Sequence, residues 1–122
     1  MFGKFDLTMG YITEDYCSEE LSGMLMERGY IGATNTYLGK DDINVKQITL
    51  QSAMKWLRKT HDIYIDIITR FSLNADKDVC YSFEVKQLID EYTSKYLGRD
   101  GEWYEYEEAC EAAIKFCLEK LN

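Results

Sequence analysis

Between Thr49 and Thr69 the spacing of apolar residues changes from that of an α-helix to that of a β-strand. The first part repeats apolar residues every three or four positions, which collects Leu50, Ala53, Met54 and Leu57 on one side of a helix. Thr49 precedes them as a suitable N-cap. The second part alternates, so that Ile63, Ile65 and Ile67 face one way. The stretch therefore predicts a helix that leads directly into a half-buried strand.

A second alternating run follows, with an apolar set of Val79, Tyr81, Phe83 and Val85. The polar segment 72–78 between the runs favours a turn, so the two runs predict an antiparallel hairpin. Facing both apolar sets toward one core leaves two registers. One register places Asp66 opposite Glu84, and like charges disfavour it. We predict the other register, which pairs Ile63 with Val85, Ile65 with Phe83, Ile67 with Tyr81 and Arg70 with Asp78.

The N-terminal part predicts one more helix. Helical spacing covers residues 15–28, with Asp15 or Ser18 as the N-cap and Gly29 as the stop. Gly23 lies inside this helix, which suggests that another group packs closely against it. Residues 34–38 predict a short strand and residues 39–44 a polar turn. Residues 1–15 show no sustained period, so we expect a loosely ordered or edge segment there.

Two elements follow the hairpin. Leu88, Ile89, Tyr92 and Tyr96 fit either a helix or a third strand that ends before a turn region at Gly98 and Gly101, and we predict the strand. A final helix is indicated by a broad apolar stripe made of Tyr106, Ala109, Cys110, Ala113, Ile114, Phe116, Cys117, Leu118 and Leu121. Its first turn is acidic, as the helix dipole favours.

These elements assemble into one fold class. The order helix, helix, antiparallel hairpin or three-stranded meander, helix predicts an α+β domain of two layers, with the helices on one face of the sheet. The 122 residues are enough for one core, so we expect a single domain over residues 1–122.

The formal net charge of −8 lies mostly in the second half of the chain. Residues 61–122 hold 14 acids and 7 bases, whereas residues 1–60 hold 8 acids and 7 bases. A negative field repels phosphates and anionic lipids, so we expect neither a nucleic-acid partner nor a membrane. No apolar run approaches the roughly 20 residues that a membrane span needs, and no signal peptide is evident. We therefore expect a soluble, cytoplasmic protein.

The residues that could carry chemistry give weak signals. In the predicted hairpin His61 lies on the order of 23 Å from Cys80, too far for a nucleophilic pair. A single histidine at a helix-to-strand turn is more often a packing or capping residue. The four cysteines are scattered and predict small buried side chains rather than disulfides or a zinc site: Cys17, Cys80, Cys110 and Cys117.

The carboxylates and the search for nucleotide-binding motifs also give no strong evidence for a catalytic or binding site. The acidic groups at 90–91 and 107–111 would need a pocket that shifts one pKa before they could act as an acid and a base, and no such environment is evident. No phosphate-binding glycine motif occurs. We predict no catalytic residue, no cofactor and no metal.

One segment contains Lys55, Trp56, Leu57, Arg58, His61, Ile63 and Ile65, and a second contains Tyr106, Glu107, Glu108 and Ala109. These residues resemble the first and second motifs of a family of small uncharacterised proteins found in gut bacteria and their phages or mobile elements. The resemblance covers about residues 17–121 and implies a common architecture but no activity. Glu105 departs from the small polar cap usual in the family, and residues 88–103 match poorly.

The remaining signal is an excess of aromatic residues outside the predicted core. The outer face of the sheet and the acidic region after the hairpin would expose a set that could contact a protein: Tyr64, Ile68, Tyr92, Tyr96, Trp103 and Tyr104. We predict a non-enzymatic interaction module that binds another protein or itself. The alternatives are an acidic mimic of nucleic acid that occupies a DNA-binding enzyme, and an enzyme of unrecognised type around His61.

Overall fold

The computed structural model describes residues 15–38, 44–71 and 79–121. Its elements in chain order are α1 Glu19–Glu27, β1 Asn35–Leu38, β2 Asn44–Gln47, α2 Leu50–His61, β3 Ile63–Phe71, β4 Val79–Leu88, β5 Ser94–Trp103 and α3 Tyr106–Lys120. The strands β3, β4 and β5 form a three-stranded antiparallel meander, and α3 packs against all three of them. The predicted α+β class with helices packed on the sheet is confirmed.

The first helix begins and ends as the sequence predicts. The Ser18 hydroxyl accepts a hydrogen bond from the Leu21 N–H at 3.1 Å, and Gly29 ends the turn with a φ of 88°. The expectation for Gly23 is wrong, because a Cβ at that position would meet no atom within 4 Å. The glycine is therefore not required by a neighbouring group.

The predicted passage from helix to strand is also confirmed. The Thr49 hydroxyl accepts from the Ser52 N–H at 3.0 Å and caps α2. A single residue, Asp62, joins α2 to β3 in the left-handed conformation, with a φ of 55°. The end of β4 holds this joint, since the Leu88 N–H donates to the Asp62 carbonyl at 2.8 Å.

The predicted register of the hairpin is wrong. In the structure Asp66 lies opposite Glu84, Ile65 opposite Val85 and Arg70 opposite Cys80, rather than Arg70 opposite Asp78. The like-charge pair lies on the outer face of the sheet, where Arg99 of β5 lies opposite Glu84 on the other side. Such a pair costs roughly 0.2–1 kcal/mol. Bonds made only in this register outweigh that cost: Leu88 N–H to Asp62, Gln87 Nε2 to the His61 carbonyl at 3.0 Å, and Arg70 Nε to Ser82 Oγ at 3.1 Å.

Two strand predictions need correction. The third strand exists, but it spans residues 94–103 rather than ending before Gly98. Gly98 and Gly101 lie within it at φ of 146° and 78°, and the pairing with β4 shifts register twice along the strand. The strand β2 was not predicted; it pairs antiparallel with the predicted strand β1 in a separate two-stranded sheet.

The core lies where α3 meets the sheet and the other helices. Phe83 is buried beneath α3, with ring centroids 5.4 Å from both Trp103 and Phe116. The predicted apolar stripe of α3 is confirmed in its buried residues Ala109, Cys110, Ala113, Ile114, Cys117 and Leu118. The helix α1 packs on α3, and the Arg28 guanidinium donates to the Leu118 carbonyl at 2.6 Å.

Some predictions lie outside the described residues. These are the loosely ordered or edge segment, apart from residue 15, and the turn at 72–78. Of the polar turn predicted at 39–44, the described part contains only Asn44, which is the first residue of β2.

Candidate functional site

The register of the meander brings two distant tyrosines into one row on the outer face of the sheet. Tyr64 of β3 lies opposite Lys86 of β4, and Lys86 lies opposite Tyr96 of β5. Because neighbouring strands are about 4.8 Å apart, the two tyrosine backbones are roughly 10 Å apart with the lysine between them. Tyr64 is 43% exposed and Tyr96 is 52% exposed, so both rings are open to solvent.

Further exposed apolar side chains continue from this row. Leu88 ends β4 beyond Lys86 on the same face, and the turn that follows carries Tyr92, which is 93% exposed. The turn is fixed by the Asp90 carboxylate, which accepts from the N–H groups of Tyr92 and Thr93 at 2.8 and 2.9 Å. The hydrogen bond from the Tyr92 N–H is the largest cause that lowers the pKa of Asp90. We define the tyrosine surface as Tyr64, Lys86, Leu88, Tyr92 and Tyr96.

The other three predicted contact residues lie elsewhere. Ile68 is half-buried on the outer face, opposite Ser82 and two rows from Tyr64. Trp103 lies on the helix-covered side, where its ring stacks on Phe83 at an interplanar angle of 24°. Tyr104 is exposed between β5 and α3. The structure thus places Tyr64 and Tyr96 in one row and packs the partly buried Trp103 against the core.

Lys86 and Leu88 belong to this surface but were not predicted. The alternation of β4 does place Lys86 on the outer face, so that part of the signal is present in the sequence. Its neighbours on both sides depend on the register of the hairpin and on the true start of β5. Neither was predicted correctly, so the row of three side chains was missed.

Charges of both signs share the outer face next to the tyrosine surface. The neighbouring row contains Asp66, Glu84 and Arg99. Arg70, further along β3, donates from Nε to the Ser82 hydroxyl at 3.1 Å. This face of the sheet therefore carries both acids and bases, including the adjacent acids Asp66 and Glu84.

The buried thiols are chemically quiet. Burial raises the pKa of Cys17 to about 12, of Cys110 to about 11 and of Cys117 to about 12. Thiols with such pKa values are protonated at neutral pH and are therefore weak nucleophiles. The fourth cysteine, Cys80, lies opposite Arg70, nine residues beyond His61 along the strands.

His61 packs against an aromatic ring at the end of α2. Its ring centroid lies 4.9 Å from that of Trp56 in an edge-to-face arrangement of 81°. Within the described residues its Nε2 is buried without a hydrogen-bond partner. These contacts indicate that His61 is a packing residue. They include no second titratable side chain beside its ring.

Two cavities lie away from the tyrosine surface. The first, about 360 Å³, is lined by Tyr16, Leu50, Trp103, Glu107, Glu108, Glu111, Ala112 and Lys115. One of its acids is already engaged, since Glu111 Oε1 accepts from the Ser18 N–H at 2.8 Å. The second, about 220 Å³, lies between residues 30–33 and the exposed side of α2. In the described part of the chain no three His, Cys, Asp or Glu side chains are grouped to hold a metal ion.

Fold and surface together define a class: an α+β domain of a three-stranded meander under helices, with an exposed tyrosine–lysine row on the opposite face of the sheet. Comparison with protein-family models, with curated proteins and with solved structures finds no match to the chain. Among the described residues, no helix has the length and apolar character that crossing a membrane requires.

Proposed function

We propose that the chain is a non-enzymatic protein-interaction module that binds a partner protein through the tyrosine surface. The observation that supports this function is the row Tyr64, Lys86, Tyr96, in which two open rings flank one exposed cation. Tyrosine buries a large area while its hydroxyl stays hydrated, and aromatic residues are enriched in protein interfaces.

The row also defines the chemistry of the partner. Lys86 has uncharged neighbours on both sides of its row and, although Glu84 and Asp66 lie in the next row, it makes no salt bridge among the described residues. Its ammonium can therefore bind a carboxylate from outside. The flanking rings and Leu88 favour apolar side chains on either side of that carboxylate. The partner is therefore a protein segment that presents an acidic residue between apolar residues.

Two other functions stay predictions. A mimic of nucleic acid needs its carboxylates in a phosphate-like row. On the described outer face, Asp66 and Glu84 share their row with Arg99, and Lys86 lies in the next row. An enzyme around His61 needs convergent titratable groups, whereas the contacts of that ring are with Trp56. The resemblance to proteins of gut bacteria and mobile elements supplies no activity for either.

The test compares affinities for one purified partner. Protein recovered with the immobilised chain from its native cell is identified, purified and titrated by calorimetry against the wild type and three variants: Tyr64→Ala, Tyr96→Ala and Lys86→Glu. We expect each substitution to weaken binding at least tenfold, since hot-spot residues at the centre of an interface cost about 2 kcal/mol or more on truncation and about 1.4 kcal/mol corresponds to tenfold.

The matched control is Ile31→Ser, which changes an apolar side chain that is 85% exposed and outside the tyrosine surface. The control should bind like the wild type. Equal affinity for the wild type and all three surface variants would contradict the proposed surface. Tyr104→Ala, measured alongside, shows whether the interface extends toward the start of α3.

A further inference from the structure

The two edge strands of the meander differ in how open they are to pairing. The edge strand β5 contains two register shifts and two glycines with positive φ. The other edge strand, β3, has nine residues without glycine, proline or a register shift. No described strand pairs with its free side. Such an edge is a template for another strand unless it is covered, and the irregularities that discourage pairing occur on β5.

The direction of the free backbone groups on β3 follows from one hydrogen bond. The Leu88 N–H donates to the Asp62 carbonyl, and in an antiparallel ladder this bond sets the alternation along the strand. Even-numbered residues of β3 therefore bond to β4. Odd-numbered residues, from Ile63 to Phe71, direct their N–H and C=O groups to the free side.

The side chains of β3 make this edge complementary to itself. When two copies pair antiparallel with the two-fold axis at Ile68, Asp66 of each copy lies opposite Arg70 of the other. An axis at Asp66 would place two carboxylates face to face. An axis at Ile67 would place Asp66 opposite Ile68, without a charge pair. The charges thus select the register about Ile68.

The same register covers exposed apolar surface. Phe71 is 72% exposed at the end of β3, and in the paired strands it would lie opposite Ile65 of the other copy. Ile65 is half-buried and faces the same side of the sheet as Phe71. Cross-strand pairs of an aromatic and a β-branched side chain stabilise sheets.

Arg70 can serve both its own chain and the second copy. Its Nε donates to Ser82 Oγ within the chain. A guanidinium has five N–H donors, so the groups on its two terminal nitrogens stay available to a carboxylate.

We infer that two copies of this chain pair antiparallel through β3 about a two-fold axis at Ile68, joining their meanders into one six-stranded sheet. The odd residues from Ile65 to Phe71 of each copy then supply about eight inter-chain hydrogen bonds. This inference uses the edge of the sheet and does not rest on the proposed function, which uses the tyrosine surface. Either can fail without the other.

The first experiment measures mass in solution by size exclusion with light scattering. The wild type should give twice the chain mass of 14.3 kDa. Asp66→Arg alone and Arg70→Asp alone should each give single chains, because each places like charges opposite each other twice. A mixture of these two variants should restore the double mass, since every contact between them pairs opposite charges.

Glu84→Lys is the matched control. It reverses a charge directly opposite Asp66 but on the middle strand, away from the free edge, so the double mass should persist. Asp66→Arg also removes the like-charge pair with Glu84, so loss of pairing in this variant is not explained by loss of the fold. A wild type of single mass at concentrations up to about 1 mM, or a mixture that stays single, would overturn the inference.

The second experiment uses Ile68→Cys. Residues on the axis face each other in a non-hydrogen-bonded pair with Cα atoms about 4.5 Å apart, within the range of a disulfide. Mild oxidation should join two Ile68→Cys chains covalently, whereas Glu84→Cys should stay unjoined. Equal cross-linking of both variants would contradict the register, and so would cross-linking of neither.

Discussion

Two glycines near the first helix show that the same residue type can contribute differently to stability. Gly23 and Gly29 are six residues apart at the first helix, yet the structure uses them differently. Gly23 lies in the helix interior with open space where a Cβ would be, whereas Gly29 has a φ of 88° that side chains disfavour. One glycine is replaceable and the other ends the helix.

We expect Gly23→Ala to raise the free energy of unfolding by about 0.5–1 kcal/mol, because alanine costs less backbone entropy in a helix. Gly29→Ala should lower it by about 1–2 kcal/mol through left-handed strain. Urea unfolding of both variants beside the wild type measures the two effects. A loss of stability in Gly23→Ala would reveal a packing contact that the structure does not contain.

The hairpin register shows what residue-level reasoning from sequence can miss. The repulsion between Asp66 and Glu84 was the one term available to choose between two registers, and it is worth only roughly 0.2–1 kcal/mol. The bonds that decide the register join backbone and side chains across the helix-to-strand joint at Asp62. The alternation of apolar residues does not indicate such bonds. The row Tyr64, Lys86, Tyr96 depends on the same register, so it was not predicted either.

Among the elements, α3 begins with an unusual cap. Ser18 and Thr49 cap α1 and α2 through their hydroxyls, but Glu105 at the start of α3 makes no side-chain cap hydrogen bond. Each of those hydroxyls accepts a hydrogen bond from the N–H three residues later, and no such bond is made by the Glu105 side chain. The first-turn N–H groups of α3 therefore receive no hydrogen bond from the side chain at the N-cap.

We expect Glu105→Asp to raise the free energy of unfolding by about 1 kcal/mol. The shorter carboxylate can accept from the first-turn N–H groups, and the charge that the helix dipole favours is retained. Thr49→Ala, as the converse, should lower stability by about the same amount. Thermal unfolding of both variants checks this, and an unchanged midpoint for Glu105→Asp would mean that the cap geometry at α3 cannot form.

Elements with strong periodicity were predictable, and those without it were not. The helices and the β3–β4 pair follow from the spacing of apolar residues. Strand β5 was misplaced because Gly98 and Gly101 resemble a turn, whereas they accommodate positive φ inside an irregular edge strand. The short strand β2 has the sequence NVKQ, with one apolar residue and no period to detect.

At the scale of the whole molecule, the buried thiols couple stability to alkaline pH. Cys17 precedes α1, while Cys110 and Cys117 belong to α3, so the three groups lie at the centre of the helical packing. Burial raises their pKa from 9.0 to about 12, 11 and 12 respectively. The folded state therefore keeps protons that the unfolded state loses.

We expect these thiols to leave the free energy of unfolding unchanged below pH 9. Above pH 9 they should lower it as the pH rises toward 11–12, because only the unfolded state loses the thiol protons there. Each thiol contributes a slope of up to about 1.4 kcal/mol per pH unit in that window. Urea unfolding at pH 8, 9.5 and 10.5 measures the decline, and Cys117→Ala should show a shallower slope despite lower stability. An identical slope in that variant would contradict burial of the Cys117 thiol.

The pairing of α1 with α3 has a consequence for synthesis of the chain. The Ser18 N–H bonds to Glu111 and the Arg28 guanidinium to Leu118, partners 93 and 90 residues apart. At a ribosomal rate of about 5–20 residues per second, α1 emerges roughly 5–20 s before the helix that covers it. During that interval α1 lacks its packing against α3, so a nascent chain stalled in the meander exposes part of α1 to chaperones.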